Sequence, residues 1–220
     1  YPGTPEGMQA VATARLIYVD LGRVDEYASW VKRLDYVNVS DADLDNTTYE
    51  SAEKQYLAGD TNRAIRLFNS YLNEFPNAIH AMKSHFYLAQ LYYKDDLQNN
   101  AAPHYEYVVN KPSGEFTEQA LTRLGEIYLN EKDHARAMPI LERLESEADF
   151  PQNVIFAQSN LMKIHYQLQD YNQSVNYAEK VLSSSRTDKN VKSDAHVIIA
   201  RSAVKTGDEA KAKSAYAEVE

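Results

Sequence analysis

The fold is decided by residues 49–76, which read YESAEKQYLAGDTNRAIRLFNSYLNEFP. Apolar and aromatic residues recur every three to four positions on both sides of Gly59-Asp60, which is typical of two amphipathic helices joined by a turn. Ala52 and Ala64 are small residues at the points where the two helices would cross, and Pro76 ends the second helix. The stretch therefore predicts one helix-turn-helix unit.

The same order of residues recurs along the whole chain. We place the unit starts near residues 8, 45, 82, 118, 155 and 193, which gives a period of 36–38 residues. Repeats of this length bury a shared core by stacking on their neighbours, so the pattern predicts an all-α solenoid of about six units. We expect a single domain over residues 1–220, with the longer, polar junction at 35–45 as the candidate hinge. Tyr1-Pro2 resembles the Phe-Pro ends of two other units, so we interpret the chain as a piece of a longer array.

Two sets of positions are predicted to form the core. Small residues should lie at the crossing of the two helices in a unit, at Ala52, Ala89, Gly125 and Ala200 on first helices and Ala64, Ala101, Ala137 and Ala212 on second helices. Larger side chains should fill the layers between helices, at Leu88, Leu124, Leu161 and Ile199 with Phe68, Tyr105, Leu141 and Tyr216. Glycine inside a helix costs about 1 kcal/mol relative to alanine, so Gly125 indicates a close helix contact.

The composition excludes several classes of protein. The 220 residues include no cysteine, which removes disulfides, thiolate nucleophiles and thiolate metal sites. The formal net charge of −9 argues against binding to nucleic acid or to anionic membranes. No apolar run approaches the roughly 20 residues that span a bilayer, so we expect no membrane insertion.

No catalytic constellation is found, and we expect no enzyme activity, metal or cofactor. The six histidines are dispersed, and the sequence has no glycine-rich phosphate loop or nucleophile elbow. Asp41, Asp43 and Asp45 imitate the start of a calcium loop, but Asn46 replaces its turn glycine and Ala52 its bidentate glutamate. We therefore expect Asp43 or Asp45 to cap a helix instead.

The repeat resembles the tetratricopeptide repeat family, whose classical period is about 34 residues. Tyr49 to Asp60, followed by Ala64, Phe68 and Phe75-Pro76, is similar to the Tol-Pal-associated proteins of the bacterial envelope. The resemblance implies a right-handed superhelix. It also implies a periplasmic or outer-membrane-associated location, with the cytoplasm as the alternative.

In such a superhelix the first helices line the concave face, where these repeats bind partners. Positions 2, 5, 9 and 12 of each unit give the predicted lining. The candidate partner-binding residues are Tyr49, Glu53, Tyr56, Lys83, Phe86, Gln90, Tyr93, Glu126, Phe156, Lys163, Tyr166 and Arg201. The same positions add to the predicted lining the residues Asn46, Gln119, Thr122, Leu129, Ser159, Asp194, Val197 and Val204. Aromatic rings interleaved with polar tips are typical of a peptide groove, although tyrosines at helical spacing also pack between repeats.

These observations favour a non-catalytic scaffold that binds a peptide or partner protein in the concave groove of a bacterial envelope complex. The alternative is a structural spacer or assembly module with no ligand in its groove. A third hypothesis, an enzyme or glycan-binding protein, rests on the aromatic content alone. Receptors of chaperone tails carry Lys and Asn at positions five and nine of a repeat. In this chain those positions are occupied by Tyr49 and Glu53 and by Phe86 and Gln90, so no cationic side chain there could clamp a terminal carboxylate.

Overall fold

The computed structural model describes residues 2–219, so the prediction about Tyr1 lies outside the described residues. Within this range all regular structure is helical, and twelve helices form six consecutive pairs. Their bounds are α1 Pro5–Leu21, α2 Val24–Val31, α3 Asp41–Leu57, α4 Thr61–Glu74, α5 Ala81–Lys94, α6 Gln98–Val109, α7 Thr117–Asn130, α8 His134–Glu147, α9 Pro151–Gln167, α10 Tyr171–Ser183, α11 Lys189–Thr206 and α12 Glu209–Ala217. The predicted all-α architecture of about six helix-turn-helix repeats is confirmed.

Each pair turns through a residue with left-handed backbone geometry. These six residues have φ between 57° and 83° and follow one another at intervals of 36–38 residues: Gly22, Gly59, Asp96, Lys132, Gln169 and Gly207. Glycine adopts this conformation freely, whereas Asp96, Lys132 and Gln169 adopt it against the clash of their Cβ atoms. The backbone thus repeats with the period read from the sequence, even in the three turns that lack glycine.

The first helices begin one to four residues before the predicted unit starts. Ser40 caps α3, with its Oγ accepting from the Asp43 N–H at 3.1 Å while Asp43 Oδ2 accepts from the Ser40 N–H at 2.9 Å. The prediction that Asp43 or Asp45 is the cap was therefore wrong. Asp43 completes a capping box, and Asp45 is buried, accepting from Tyr71 Oη at 2.6 Å.

The chain forms two compact units, Tyr1–Pro112 and Ser113–Glu220. In unit 1, α1, α2 and α3 enclose a cluster of Val11, Tyr27, Val31 and Leu44, and the rings of Tyr18 and Trp30 pack against it. Side chains from the 32–40 connection also pack on this cluster, namely Leu34, Tyr36, Val37 and Val39. The junction chosen as a hinge therefore contributes apolar contacts within unit 1.

A second cluster in unit 1 joins α3, α4 and α5 around the buried ring of Phe68. In unit 2 each helix from α7 to α12 packs on the next one along the chain. The predicted small residues at the crossings are buried in both units. A Cβ atom on Gly125 would lie 3.2 Å from Leu141 Cδ2, so the predicted close contact with α8 is confirmed, with Leu141 rather than Ala137 as the nearest side chain.

The larger predicted core residues are buried with one exception. Tyr216 is 48% exposed, so its assignment to the core was wrong. The helix α12 packs on α11 and buries its small residues Ala212 and Ala215, whereas Tyr216, in its last turn, stays exposed.

Candidate functional site

The predicted binding residues of unit 1 are engaged with one another across α3 and α5. Tyr49 is only 4% exposed, its ring stacks on His80 at 4.1 Å, and its hydroxyl donates to Glu53 Oε1 at 2.6 Å. Lys83 Nζ donates to the same Glu53 oxygen at 2.8 Å. Burial and the hydrogen bond to Glu53 raise the pKa of Tyr49, so its hydroxyl stays protonated as a donor.

Tyr56 makes a second connection between the same two helices. Its ring stacks on Tyr87 at 4.4 Å, and its hydroxyl donates to Gln90 Oε1 at 2.8 Å. Phe86 is buried, and Tyr93 is half-buried with its ring 6.4 Å from that of Tyr105. Tyr49 and Tyr56 therefore pack the second repeat against the third, whereas the rings of Phe86 and Tyr93 lie near that of Tyr105 in their own repeat. Tyr49 and Phe86 do not present their rings to solvent.

Glu53 and Lys83 form the polar edge of this network. Burial alone would raise the pKa of Glu53, but the hydrogen bonds from Lys83 and Tyr49 lower it. The Lys83 ammonium lies 5.6 Å from the Tyr49 ring centroid and 5.5 Å from that of Tyr87. The Lys83 ammonium is thus held by the two ring faces and by Glu53, and the Glu53 carboxylate is held by Lys83 and by the Tyr49 hydroxyl.

In unit 2 the predicted lining contributes to an open cleft of about 470 Å³ between α7 and α9, which we call the α7–α9 cleft. Its walls include Glu115, Glu118, Gln119, Thr122, Glu126 and Phe150. In the fourth helix-turn-helix repeat, positions 2, 5 and 9 are Gln119, Thr122 and Glu126. The sequence pattern therefore predicted that these three residues lie on one surface. Glu126 is half-buried and pairs with Arg123 at 2.8 Å.

Glu118 fixes the geometry of the cleft. Its carboxylate accepts from the backbone N–H groups of Asp149 and Phe150, each at 3.1 Å, and from Asn153 Nδ2 at 2.7 Å. Phe150 is the N-cap residue of α9, so a carboxylate from one repeat satisfies the free N–H groups at the start of the next. The Phe150 ring, 68% exposed, is held at the rim by this contact.

The remaining predicted residues of unit 2 do not line the α7–α9 cleft. Phe156 and Tyr166 are half-buried on α9, and the Tyr166 ring packs at 5.7 Å from that of Tyr171. Lys163 is exposed and pairs with Asp194 at 2.8 Å, and Arg201 is exposed on α11. Phe150 was not among the predicted binding residues, because it was interpreted only as the end of a unit.

A histidine pair in unit 1 has no signature in the sequence. His85 and His104 lie 19 residues apart, on α5 and α6, and their Nδ1 atoms are 2.7 Å apart. One ring therefore donates to the other, which requires at least one of them to be neutral. Burial, His104 and Lys111 lower the pKa of His85 to about 4, and burial lowers the pKa of His104.

Acidification should therefore destabilise unit 1 through this pair. The folded pKa values lie below the unfolded value of about 6.5, so the stabilisation is complete above that pH and is lost as the pH falls towards 4. Because solvent partly screens the half-buried rings, we expect a loss of about 1–2 kcal/mol between pH 7 and 5. The charged and titratable groups near the pair are Tyr92, Tyr107 and Lys111.

Urea unfolding at several pH values checks this expectation. The double variant His85→Gln/His104→Gln should lose this part of the pH dependence, whereas His196→Gln, in unit 2, should keep it. Equal pH slopes in the double variant and the unmodified chain would contradict the assignment.

Two further features bear on function. Residues 2–219 contain no group of three or more His, Asp or Glu side chains arranged to hold a metal ion. No helix in this described range combines the length and apolar character needed to cross a bilayer.

Comparison with known proteins identifies the repeats. Two family models described as tetratricopeptide repeat match residues 49–78 and 118–147, which contain all of α4 and α8 and parts of α3 and α7. No curated protein matches the sequence.

The fold agrees with solved structures of low sequence identity. The chain is similar to MamA, with a TM-score of 0.55 and 18% identity over 80% of this chain and 89% of MamA. It is also similar to a tetratricopeptide repeat protein from Parabacteroides merdae, with a TM-score of 0.51 and 14% identity over 96% of this chain and 80% of that one. Residues 49–78 and 118–147 are therefore tetratricopeptide repeats, set in an all-helical chain of the tetratricopeptide-repeat fold.

Proposed function

We propose that this chain is a non-catalytic protein-interaction scaffold that holds a peptide or partner domain on the first helices of its repeats. The observation that carries the proposal is the α7–α9 cleft, which is open, has an exposed aromatic ring at its rim, and is lined by Gln119, Thr122 and Glu126. Pockets with a few placed polar groups and an aromatic anchor are typical of peptide recognition.

A cleft-blocking variant tests the proposal. Thr122→Arg places a long cationic side chain in the cleft, and Ala135→Arg adds the same side chain at an exposed position of α8. Affinity capture from cells of the source organism, with mass spectrometry of the bound proteins, should show a partner that Ala135→Arg retains and Thr122→Arg loses. Circular dichroism of both variants confirms that the fold is intact.

A structural spacer is the second candidate, and the packing of unit 1 favours it. Tyr49, Tyr56 and Phe86 make their contacts within the unit, so a large part of the aromatic content serves repeat-to-repeat packing. A spacer would give identical protein lists for the unmodified chain and both arginine variants.

We further propose that the scaffold acts in a bacterial envelope complex. The similarity of residues 49–76 to the Tol-Pal-associated proteins supports this location, and the cytoplasm is the alternative. Fractionation of source cells, with antibody detection of the native protein in the periplasmic and cytoplasmic fractions, distinguishes the two compartments.

A further inference from the structure

We propose that the α7–α9 cleft binds a cationic segment of the partner, with a Lys or Arg side chain among its carboxylates and an adjacent apolar side chain against Phe150. This inference rests on the proposed scaffold function and specifies the chemistry of its partner. It follows from the distribution of charge, the contacts of each carboxylate and the exposed ring of Phe150 at the rim.

Negative charge is concentrated in the segment that contains most of the cleft. Between residues 113 and 153 the chain carries nine acidic and four basic side chains, a net charge of −5 in 41 residues, whereas residues 1–112 carry 15 acidic and ten basic side chains, the same net charge over 112 residues. Residues 154–220 carry eight acidic and nine basic side chains. The cleft itself is lined by Glu115, Glu118 and Glu126 against Arg123 alone. A cationic segment is therefore attracted to this part of unit 2, and a terminal carboxylate is repelled.

The three carboxylates are not equally available. The charge of Glu118 is already compensated by the N–H groups at the start of α9. Glu126 is held by Arg123 in a surface pair three residues apart, which is a weak and salt-sensitive contact. Glu115 is exposed and forms no ion pair within residues 2–219. A guanidinium or ammonium group can thus use Glu115 directly and Glu126 in exchange with Arg123.

Phe150 provides the apolar half of the site. Its ring borders the α7–α9 cleft and also a second cavity of about 450 Å³, which includes Ser113, Thr117 and Glu147. Because Glu118 holds the backbone at Phe150, the main chain is already ordered there, and binding costs less backbone entropy. An apolar side chain beside the cation can pack on the exposed ring.

Selection of peptides on the purified chain tests this inference even though the partner is unidentified. Phage-displayed random dodecapeptides are selected on the immobilised chain, and one enriched peptide is synthesised with a fluorophore for anisotropy titration. We expect enriched sequences to place Lys or Arg within a few residues of an aromatic residue or leucine. Affinity should fall at least 10-fold with Glu115→Gln/Glu126→Gln and with Phe150→Ala. The control variant Glu74→Gln, at an exposed position of unit 1, should bind within 2-fold of the unmodified chain.

The possible outcomes separate the inference from the scaffold proposal. Enrichment of acidic or purely apolar peptides would overturn the inference and still support a peptide-binding scaffold. Cationic peptides that bind the cleft variants as tightly as the unmodified chain would also overturn the inference, because their binding site would lie outside the α7–α9 cleft. They would still support a peptide-binding scaffold. A selection with no enrichment over the bare surface would count against both proposals.

Discussion

Replacing Phe68 with alanine should lower the free energy of unfolding of unit 1 by about 3–5 kcal/mol, the usual cost of removing a buried phenylalanine. The Phe68 ring is fully buried on α4, with the rings of Tyr49 and Tyr56 at 6.3 Å and that of Tyr87 at 5.9 Å. Tyr56 donates to Gln90 of α5, and Tyr49 donates to Glu53, which also accepts from Lys83 of α5. These two rings cannot collapse into the cavity without breaking those hydrogen bonds.

Urea denaturation followed by far-ultraviolet circular dichroism measures the effect. Phe150→Ala is the matched control, because it removes the same ring from an exposed position and should change stability by less than about 0.5 kcal/mol. A similar loss in the two variants would mean that Phe68 does not form the centre of the second cluster of unit 1.

Ala89→Leu should cost about 1–3 kcal/mol by overpacking the crossing of α5 and α6. Ala89 and Ala101 are both completely buried where these helices pack on each other. A leucine at this position has no space, so the helices must separate or adopt strained rotamers. The change tests the rule that each repeat needs a small residue at its crossing.

The midpoint of thermal unfolding reports this effect, with Ala42→Leu as the control. Ala42 lies exposed in the first turn of α3, where the same larger side chain meets no neighbouring helix. An unchanged midpoint in Ala89→Leu would show that the small residues were aligned incorrectly along the repeats.

The helix pairs could be predicted from the sequence because each repeat must satisfy the same local requirements. A turn residue and two small residues recur every 36–38 positions, and these positions reveal the period before any packing is considered. The same reasoning found Gly125, where an added Cβ atom would lie only 3.2 Å from Leu141 Cδ2. It also predicted that Gln119, Thr122 and Glu126 share one face of α7, and all three line one cleft.

The details of the site could not be predicted, because they depend on pairs that are distant in the sequence. Glu118 reaches the backbone of Phe150 across 32 residues, and His85 meets His104 across 19. Helical periodicity also cannot distinguish a ring that packs against the next repeat from one that faces a ligand. Tyr49 lies on the predicted concave stripe, yet it is buried because His80 covers its ring.

Trp30 gives the chain a built-in optical probe. It is the single tryptophan of the sequence, with the Tyr18 ring at 6.4 Å and the Tyr27 ring at 6.1 Å. Tyrosines this close transfer their excitation energy to the indole. Separation of α1 from α2 ends the transfer from Tyr18, whereas Tyr27 stays beside Trp30 on α2. Intrinsic fluorescence therefore follows the first helix pair without any label, and in the same sample circular dichroism averages over every helix.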